Sequence, residues 1–454
     1  MANLCDDVLD IVEAAREVPS RTALIDKGRR YTYAEAAQRV QERAAALVRP
    51  ARGRPLHFTA QADFDGLVEL LALLYARIPA VLISPKLTAC EREALQARLN
   101  AIAGAPVEDT AFIVLTSGTT GEPKPVMLTR KGLAAGALAA ARSLHMTGDD
   151  CFQLSLSPAR VGGLGIVLRT LAVRGTIALA PRFNGARFVQ EIERDGVTLA
   201  SLVPAMLEDV LEKNPNWQNP GSLRALLLGG AALPDRLRRR AVERGIGIVT
   251  TYAMTETGSS VAVSRWEERF SPVGNGQVPL EGVRLRALDS RLWVAGPMLF
   301  AGYWGRGPVI DDGWFETGDI GRIDEAGRVS VTARASEIIL TAGEKVAPVE
   351  VETAIESIAG VREALVVGLP DEKWGEIVTA HGLQRRFPVD WPDTSVRGAS
   401  RTLKVFPLPL KASAFVAPKC FGDALWRRCT TRFDARFGRF DGSNGAKQSV
   451  CAVF

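Results

Sequence analysis

The chain has 454 residues, 47% of them hydrophobic and 24% charged, a globular composition that excludes a disordered or collagen-like polymer and leaves room for two or three domains. Its longest apolar runs, such as residues 66–83, are broken by Glu69, Tyr75 and Arg77, so no stretch of roughly 20 apolar residues offers itself as a membrane span. The net charge of +5 sits at the C-terminus: residues 383–454 hold 13 Lys and Arg against 5 Asp, leaving 43 basic and 46 acidic residues before them, so the body carries no basic track for nucleic acid. From Met1 to Asp7 there is neither a basic stretch nor the start of a long apolar one, which predicts a cytoplasmic protein with reduced thiols. The six cysteines form no CxxC pair, and neither a zinc site nor a disulfide framework is expected.

In chain order, Phe112–Thr116 reads as a short buried strand and Lys131–Leu144, rich in alanine, as a helix, with a Ser/Thr/Gly loop between them. Strand and helix then alternate. Thr176–Ala180, Thr198–Val203, Leu223–Leu228 and Gly245–Tyr252 read as strands; Ala186–Asp195, Ala205–Lys213 and Pro234–Arg244 read as helices. Alternation of this kind implies layered α/β structure with largely parallel sheets, whose ligands sit at the carboxyl ends of the strands. After about residue 280 the short alternating segments Val283–Leu288 and Leu292–Ala295, punctuated by Gly and Pro, indicate a β-rich subdomain. A small α+β unit follows, with a helix over Val349–Ile358 and a strand over Glu363–Val367. The tail has no Glu, carries 8 of the 17 Phe and shows little sustained periodicity; it reads as a divergent terminus or as a change of reading frame after about His381. The expected division is a domain over 1–333, the start of a small domain over 334–382, and a basic tail over 383–454.

The strongest local signal is Thr116-Ser117-Gly118-Thr119-Thr120-Gly121-Glu122-Pro123-Lys124, a loop of hydroxyls and glycines directly after a buried strand. Glycines let backbone N–H groups turn towards anionic oxygens, hydroxyls add donors and Lys124 offsets charge, so the loop suits phosphate. The Walker A spacing is absent. Three more strings stand further on: Thr251-Tyr252-Ala253-Met254-Thr255-Glu256-Thr257, Trp314-Phe315-Glu316-Thr317-Gly318-Asp319, and Ala333-Arg334-Ala335-Ser336-Glu337-Ile338-Ile339. Singly, each has a plain structural reading: Tyr252 in the core, Glu256 a solvated acid, Asp319 a turn residue, Arg334 a surface cation.

Together, in this order and at these separations, the four strings resemble the motifs of the adenylate-forming superfamily of acyl-CoA synthetases, over roughly residues 20–381. The resemblance implies a large N-terminal adenylation domain and a small mobile C-terminal domain. It implies an ATP-dependent acid–thiol ligase that uses ATP, Mg²⁺ and coenzyme A to activate a small-molecule carboxylic acid as its acyl-AMP and pass it to CoA. On that pattern Thr116 to Gly121 and Lys124 hold the phosphates and Tyr252 stacks on adenine. Thr255 donates to the α-phosphate, Glu256 holds Mg²⁺, Asp319 accepts from the ribose hydroxyls, and Arg334 stands beside it. Gly229 and Gly230 line the adenine and acyl pockets, Ser336 falls at the hinge, and Gly343 lets backbone approach the pantetheine arm. Homo-oligomerisation is left open.

The compact region ahead of the phosphate loop is most similar to that of the o-succinylbenzoate–CoA ligase family of menaquinone biosynthesis, as are Val273-Gly274, Gly282-Val283, the Gly296–Tyr303 string and Ser336. In the acyl-pocket segment, Ser155 to Gly165, Arg160 stands where many relatives have His, with Gly163 close by. A guanidinium there suits the second carboxylate of a dicarboxylic aromatic acid. The alternatives are another aryl- or acyl-CoA ligase, or a nucleotide-binding pseudoenzyme with a defective C-terminal domain. The second arises because relatives carry a lysine in a Gly-Lys context near the C-terminus, whereas Lys404, Lys411, Lys419 and Lys447 here all lack those flanks.

Overall fold

The computed structural model describes residues 8–116, 123–180, 182–307, 309–341, 343–356, 361–371, 374–384, 404–407 and 448–453. The chain divides into two units, the first made of residues 1–288, 292–317 and 323–330, the second of 289–291, 318–322 and 331–454.

Strands Cys151–Leu154, Leu199–Leu202 and Ala225–Leu228 of the first unit are buried along their whole length and apolar apart from Gln153 and Ser201, as suits parallel strands covered on both faces. They lie at the centre of a nine-stranded sheet. Its spatial order is Val278–Pro279, Ser259–Val263, Ile248–Met254, Ala225–Leu228, Leu199–Leu202, Cys151–Leu154, Thr176–Leu179, Thr22–Asp26, Arg29–Thr32. The six strands from Ile248–Met254 to Thr22–Asp26 run parallel. The strand after Cys151–Leu154 pairs on one side of it and the next on the other, and such a reversal leaves a crevice outside the carboxyl ends. The segments that leave those ends are Ser155 to Gly165 after Leu154, Gly229-Gly230 after Leu228, and Thr255-Glu256 after Met254.

Helices cover this sheet where local sequence starts and stops them. Thr129 caps Arg130–Ser143 through Gly132 N, and Asn184 caps Gly185–Asp195, which ends on Gly196 at φ +69°; these are the preferred residues at each end. Helix Val161–Ala172 is buried over nine of its residues, Arg169 among them. Asp150, buried at the opposite end of Cys151–Leu154, accepts from Thr147 N, Thr198 Oγ1 and Arg224 Nη1 and ties the amino-terminal loops together.

A second sheet of the first unit runs Leu56–Thr59, Ala80–Ile83, Thr110–Thr116, Lys124–Thr129, with the last pair antiparallel. Helix Tyr33–Ala45 ahead of it and helix Ala89–Ala101 between its second and third strands each start on a capping box, Thr32 with Glu35 and Thr88 with Glu91. The β-rich stretch forms a sheet in the order Arg284–Leu288, Arg291–Ala295, Phe315–Ile323, Val329–Arg334. On its end strand the Arg286 guanidinium lies 4.2 Å from the Trp314 ring and 5.2 Å from Trp293, with Arg284 5.1 Å from Trp314. At one end of the large sheet, Arg29 covers Tyr31 at 4.5 Å, and Tyr31 stacks on Phe64.

In the second unit, Ile339–Thr341 and Glu344–Val346 pair as a hairpin. Helix Pro348–Glu356 and strands Val361–Asp371 and Gly375–Gln384 follow, around Ile339, Val366, Val378 and Ala380. Glu352 is buried with its carboxylate accepting from Val366 N at 2.9 Å. Two strands come from the tail, Lys404–Pro407 and Gln448–Val453, the latter antiparallel to Gly375–Gln384. The expected elements recur with edges shifted by a few residues. Gly245, at φ +70°, holds the strand expected from that residue back to Ile248–Met254. The strand expected over Glu363–Val367 extends to Val361–Asp371 because its partner pairs with it from Gly375 to Gln384.

Among the described residues no helix is long and apolar enough to cross a membrane. Cys90 is exposed and Cys151 buried, both free; burial pushes the Cys151 thiol up to about 12.

Candidate active site

The phosphate-type loop is held at its base by the strand pair around it, with Thr116 opposite Lys124. Both are half-buried, and the Lys124 ammonium lies 5.4 Å from the centre of the Tyr303 ring. Ser117, Gly118, Thr119, Thr120 and Gly121 lie outside the described residues.

Across the crevice, Ile248–Met254 runs into a single 3-10 turn, Thr255–Thr257, closed by Gly258 at φ +70°. The buried Thr257 hydroxyl bonds to both Met254 O and Ser259 O, so the turn is fixed from behind and leaves Thr255 and Glu256 half-exposed. Phe300 N donates to Glu256 O at 2.8 Å, and the Tyr303 hydroxyl donates to Glu256 Oε1 at 2.8 Å. Among the described residues no three His, Cys, Asp or Glu side chains converge. The Glu256 carboxylate, half-exposed and bonded through Oε1, is a hard oxygen donor of the kind Mg²⁺ takes beside nucleotide phosphate. Tyr252 is half-buried at an irregularity in the strand pairing, a place where a bulge re-aims a side chain; it packs beside Ala262, Leu292 and Val329.

Gly229 and Gly230 end the Ala225–Leu228 strand for two different reasons. A Cβ on Gly229 would lie 2.7 Å from Thr251 Cγ2, and Gly230 has φ +80°. A side chain at the first would collide and at the second would strain the backbone. Gly163 is buried, and a Cβ there would meet Ser157 O at 2.3 Å; its bareness lets the segment after Leu154 fold onto the helix that follows it. Arg160 begins that helix, open to solvent, with Nη1 donating to Leu115 O at 2.8 Å. Enough protein surrounds the guanidinium that desolvation lowers its pKa from the usual arginine range.

The remaining expected residues belong to the second unit. Buried Asp319 pairs with Arg334 through Oδ1 and Nε at 3.0 Å. Ser336 is exposed within the turn Ala335–Glu337, and Gly343, exposed at φ +83°, is in the turn of the Ile339–Val346 hairpin.

Two residues without a role in the sequence reading stand out in the first unit. Tyr303 was visible only as the end of the Gly296–Tyr303 string, and its bond to Glu256 spans 47 residues, which no local spacing reveals. Arg169 is 2% exposed, and burial lowers its pKa to about 10. Its Nε donates to Gly165 O at 2.7 Å and its Nη2 to Ser259 Oγ at 3.0 Å, while the buried Nη1 has no partner. It lines, with Thr257, Gly258 and Ser259, a small cavity behind the Thr255–Thr257 turn, about 10 Å³ in volume, enough for one water molecule. The signal was there: Arg169 is the one charged residue in Val161–Ala172.

Residues 97–304 match the family model described as AMP-binding enzyme. The 2-succinylbenzoate–CoA ligase of Bacillus cereus is 35% identical over 288 residues, 60% of this chain and 60% of that protein. The same ligase of Bacillus mycoides is 32% identical over 340 residues, 72% of this chain and 69% of that one. The match thus spans about 60% of the length of the first of these relatives. Among solved structures, o-succinylbenzoate CoA synthetase from Bacillus subtilis in complex with the acyl-adenylate intermediate OSB-AMP superposes with a TM-score of 0.73 at 27% identity, covering 84% of this chain and 89% of that one. The same enzyme in complex with ATP and magnesium ion gives 0.74 at 26% identity, covering 85% and 90%.

Proposed function

Because the chain belongs to the AMP-binding enzyme family, we propose that it is an ATP-dependent ligase that converts a carboxylic acid to its acyl-AMP and then to its CoA thioester, with o-succinylbenzoate as the acid. The observation that carries the reading is the turn Thr255–Thr257 at the carboxyl end of a central strand. It presents a half-exposed Glu256, one of whose carboxylate oxygens is already held, and Lys124 at the foot of the phosphate-type loop approaches the same tyrosine. The substrate carboxylate attacks the α-phosphorus of ATP and pyrophosphate leaves; the CoA thiol then attacks the acyl carbonyl and AMP leaves. No protein nucleophile is required. Mg²⁺, when bound, neutralises charge on the phosphate oxygens. The chain's own residues position and stabilise charge: Lys124 and the residues from Thr116 to Gly121 on the phosphates, Thr255 on the α-phosphate, Tyr252 on adenine, Glu256 on the metal. Asp319, with Arg334, serves the ribose; Ser336 serves as a pivot and Gly343 as the backbone approach to the thiol arm.

The second carboxylate of o-succinylbenzoate needs a cation. Arg160 and Arg169 lie at opposite ends of one helix beside the acyl segment, and Gly163, Gly229 and Gly230 keep that region clear. Arg160 is open to solvent and has the direct access; Arg169 is buried, charged and short of one partner, but the cavity beside it has room for one water molecule, so it would meet the acid's carboxylate through that water.

ATP–pyrophosphate exchange with a panel of acids tests the whole reading. Exchange with o-succinylbenzoate and not with benzoate or fatty acids is the expected result; exchange with a monocarboxylic acid alone assigns another acyl-CoA ligase. Nucleotide binding without exchange assigns the non-catalytic alternative.

A further inference from the structure

Tyr303 touches both charged groups of the nucleotide site through different parts of one side chain. Its hydroxyl donates to Glu256 Oε1 at 2.8 Å, and its ring lies 5.4 Å beneath the Lys124 ammonium. The residue itself is only 7% exposed, with Phe300 packed edge-on against the ring at 5.0 Å. The backbone around it is equally constrained. Ala301 N donates to Met127 O, Met127 N to Gly302 O, and Trp304 N to Pro125 O, so Ala301–Trp304 lies as an added strand along the one that leaves the phosphate-type loop. One residue earlier, Phe300 N holds the carbonyl of Glu256. The segment therefore fixes Glu256 at two points while riding on the strand that begins with Lys124.

A glutamate at a half-exposed turn has three rotatable side-chain bonds, and ordering it on binding costs entropy. A buried phenol bonded to one carboxylate oxygen removes most of that freedom beforehand. Being neutral, it leaves the full negative charge and the second oxygen, Oε2, for a cation. We propose that Tyr303 is a positioning residue that presets Glu256 to receive Mg²⁺ with the nucleotide, while its ring separately steadies Lys124; the inference rests on the metal-binding role proposed above for Glu256.

The two ends of the side chain can be removed one at a time. Tyr303→Phe deletes the hydroxyl and keeps the ring, whereas Tyr303→Leu deletes both. ATP binding to the full chain is followed by calorimetry across a Mg²⁺ titration and again in EDTA, with thermal unfolding of each variant without ligand as a check on folding. For Tyr303→Phe the Mg²⁺ concentration giving half-maximal enhancement of ATP binding rises about tenfold, the scale on which partners of metal ligands act, and binding in EDTA stays at the wild-type level. For Tyr303→Leu binding in EDTA weakens as well. In a Glu256→Gln background the Tyr303→Phe shift disappears, because there is no carboxylate left to position. A Tyr303→Phe curve superimposed on a Mg²⁺-dependent wild-type curve overturns the positioning role alone, as does a shift that persists with Gln at 256. Wild-type ATP binding indifferent to Mg²⁺ overturns the role of Glu256 and this inference with it.

Discussion

Replacing Arg169 by methionine separates a structural cation from one kept for an anionic substrate. Burial alone lowers its pKa from the usual arginine range to about 10, and at 1.36 kcal/mol per pH unit the charged form costs the free protein on the order of 3 kcal/mol at pH 7. The bonds to Gly165 O and Ser259 Oγ offset this by a comparable amount, since hydrogen bonds to a charged group contribute about 1.5–3 kcal/mol each. Arg169→Met removes both the penalty and the bonds, so the unfolding free energy in urea should change by no more than about 1 kcal/mol. Substrate selection should change far more. Losing one partner of a desolvated charge pair costs about 2–5 kcal/mol, a fall in kcat/KM for o-succinylbenzoate on the order of 30-fold or greater, with KM for ATP unchanged. Folded Arg169 has a pKa below that of the unfolded chain, so its penalty is present in full below about pH 10 and fades as pH rises from there towards the ordinary arginine range. Wild-type stability should therefore gain on that of Arg169→Met across that window. A variant destabilised by several kcal/mol that keeps wild-type kcat/KM for the dicarboxylic acid would refute the reasoning and make Arg169 a purely structural residue.

Glu256→Gln should abolish Mg²⁺-ATP turnover and leave the melting curve in place, because it removes charge and keeps shape; wild-type pyrophosphate exchange would sink the assignment. Arg160→Ala should raise KM for o-succinylbenzoate more than KM for ATP, by about the 1 kcal/mol of an exposed pair, and equal changes in both constants would return Arg160 to its bond with Leu115 alone. The intact chain should make acyl-AMP slowly, short of a lysine worth about 2.7–4 kcal/mol to the first transition state, and should convert supplied acyl-AMP and CoA comparatively well. Fast adenylation that persists when Lys404, Lys411, Lys419 and Lys447 are all changed to alanine would contradict this.

Periodicity and punctuation made the central layers legible: the helix expected over Lys131–Leu144 is Arg130–Ser143, and the strand expected over Thr176–Ala180 is Thr176–Leu179. The elements ahead of Thr110 were not read, although Thr32 with Glu35 and Thr88 with Glu91 mark two helix starts; each box is only two residues of signal in a polar stretch. Motif strings located Glu256 and Lys124, because their chemistry is carried by neighbours in sequence. Tyr303 was out of reach for the opposite reason, since its meaning comes from a bond to a residue 47 positions away, in the Thr255–Thr257 turn. Arg169 was legible in principle as a lone charge in an apolar helix, but Arg160, beside the loop, drew the assignment first.

The arginine–aromatic stacks at the ends of the sheets bear on what the protein does in a crowded solution. An end strand offers unpaired amide and carbonyl groups to any passing chain that can adopt an extended form. Here one end of the large sheet carries Arg29 and Arg30 and the other is only Val278–Pro279, whose proline has no N–H to offer. The end strand of the β-rich sheet carries Arg284 and Arg286, both held over the Trp314 indole. A newcomer would have to bring its backbone against fixed guanidinium charges or a missing donor. These ends are poor templates for strand addition, and Arg284→Val with Arg286→Val should raise aggregation on standing through the bared end strand of the β-rich sheet.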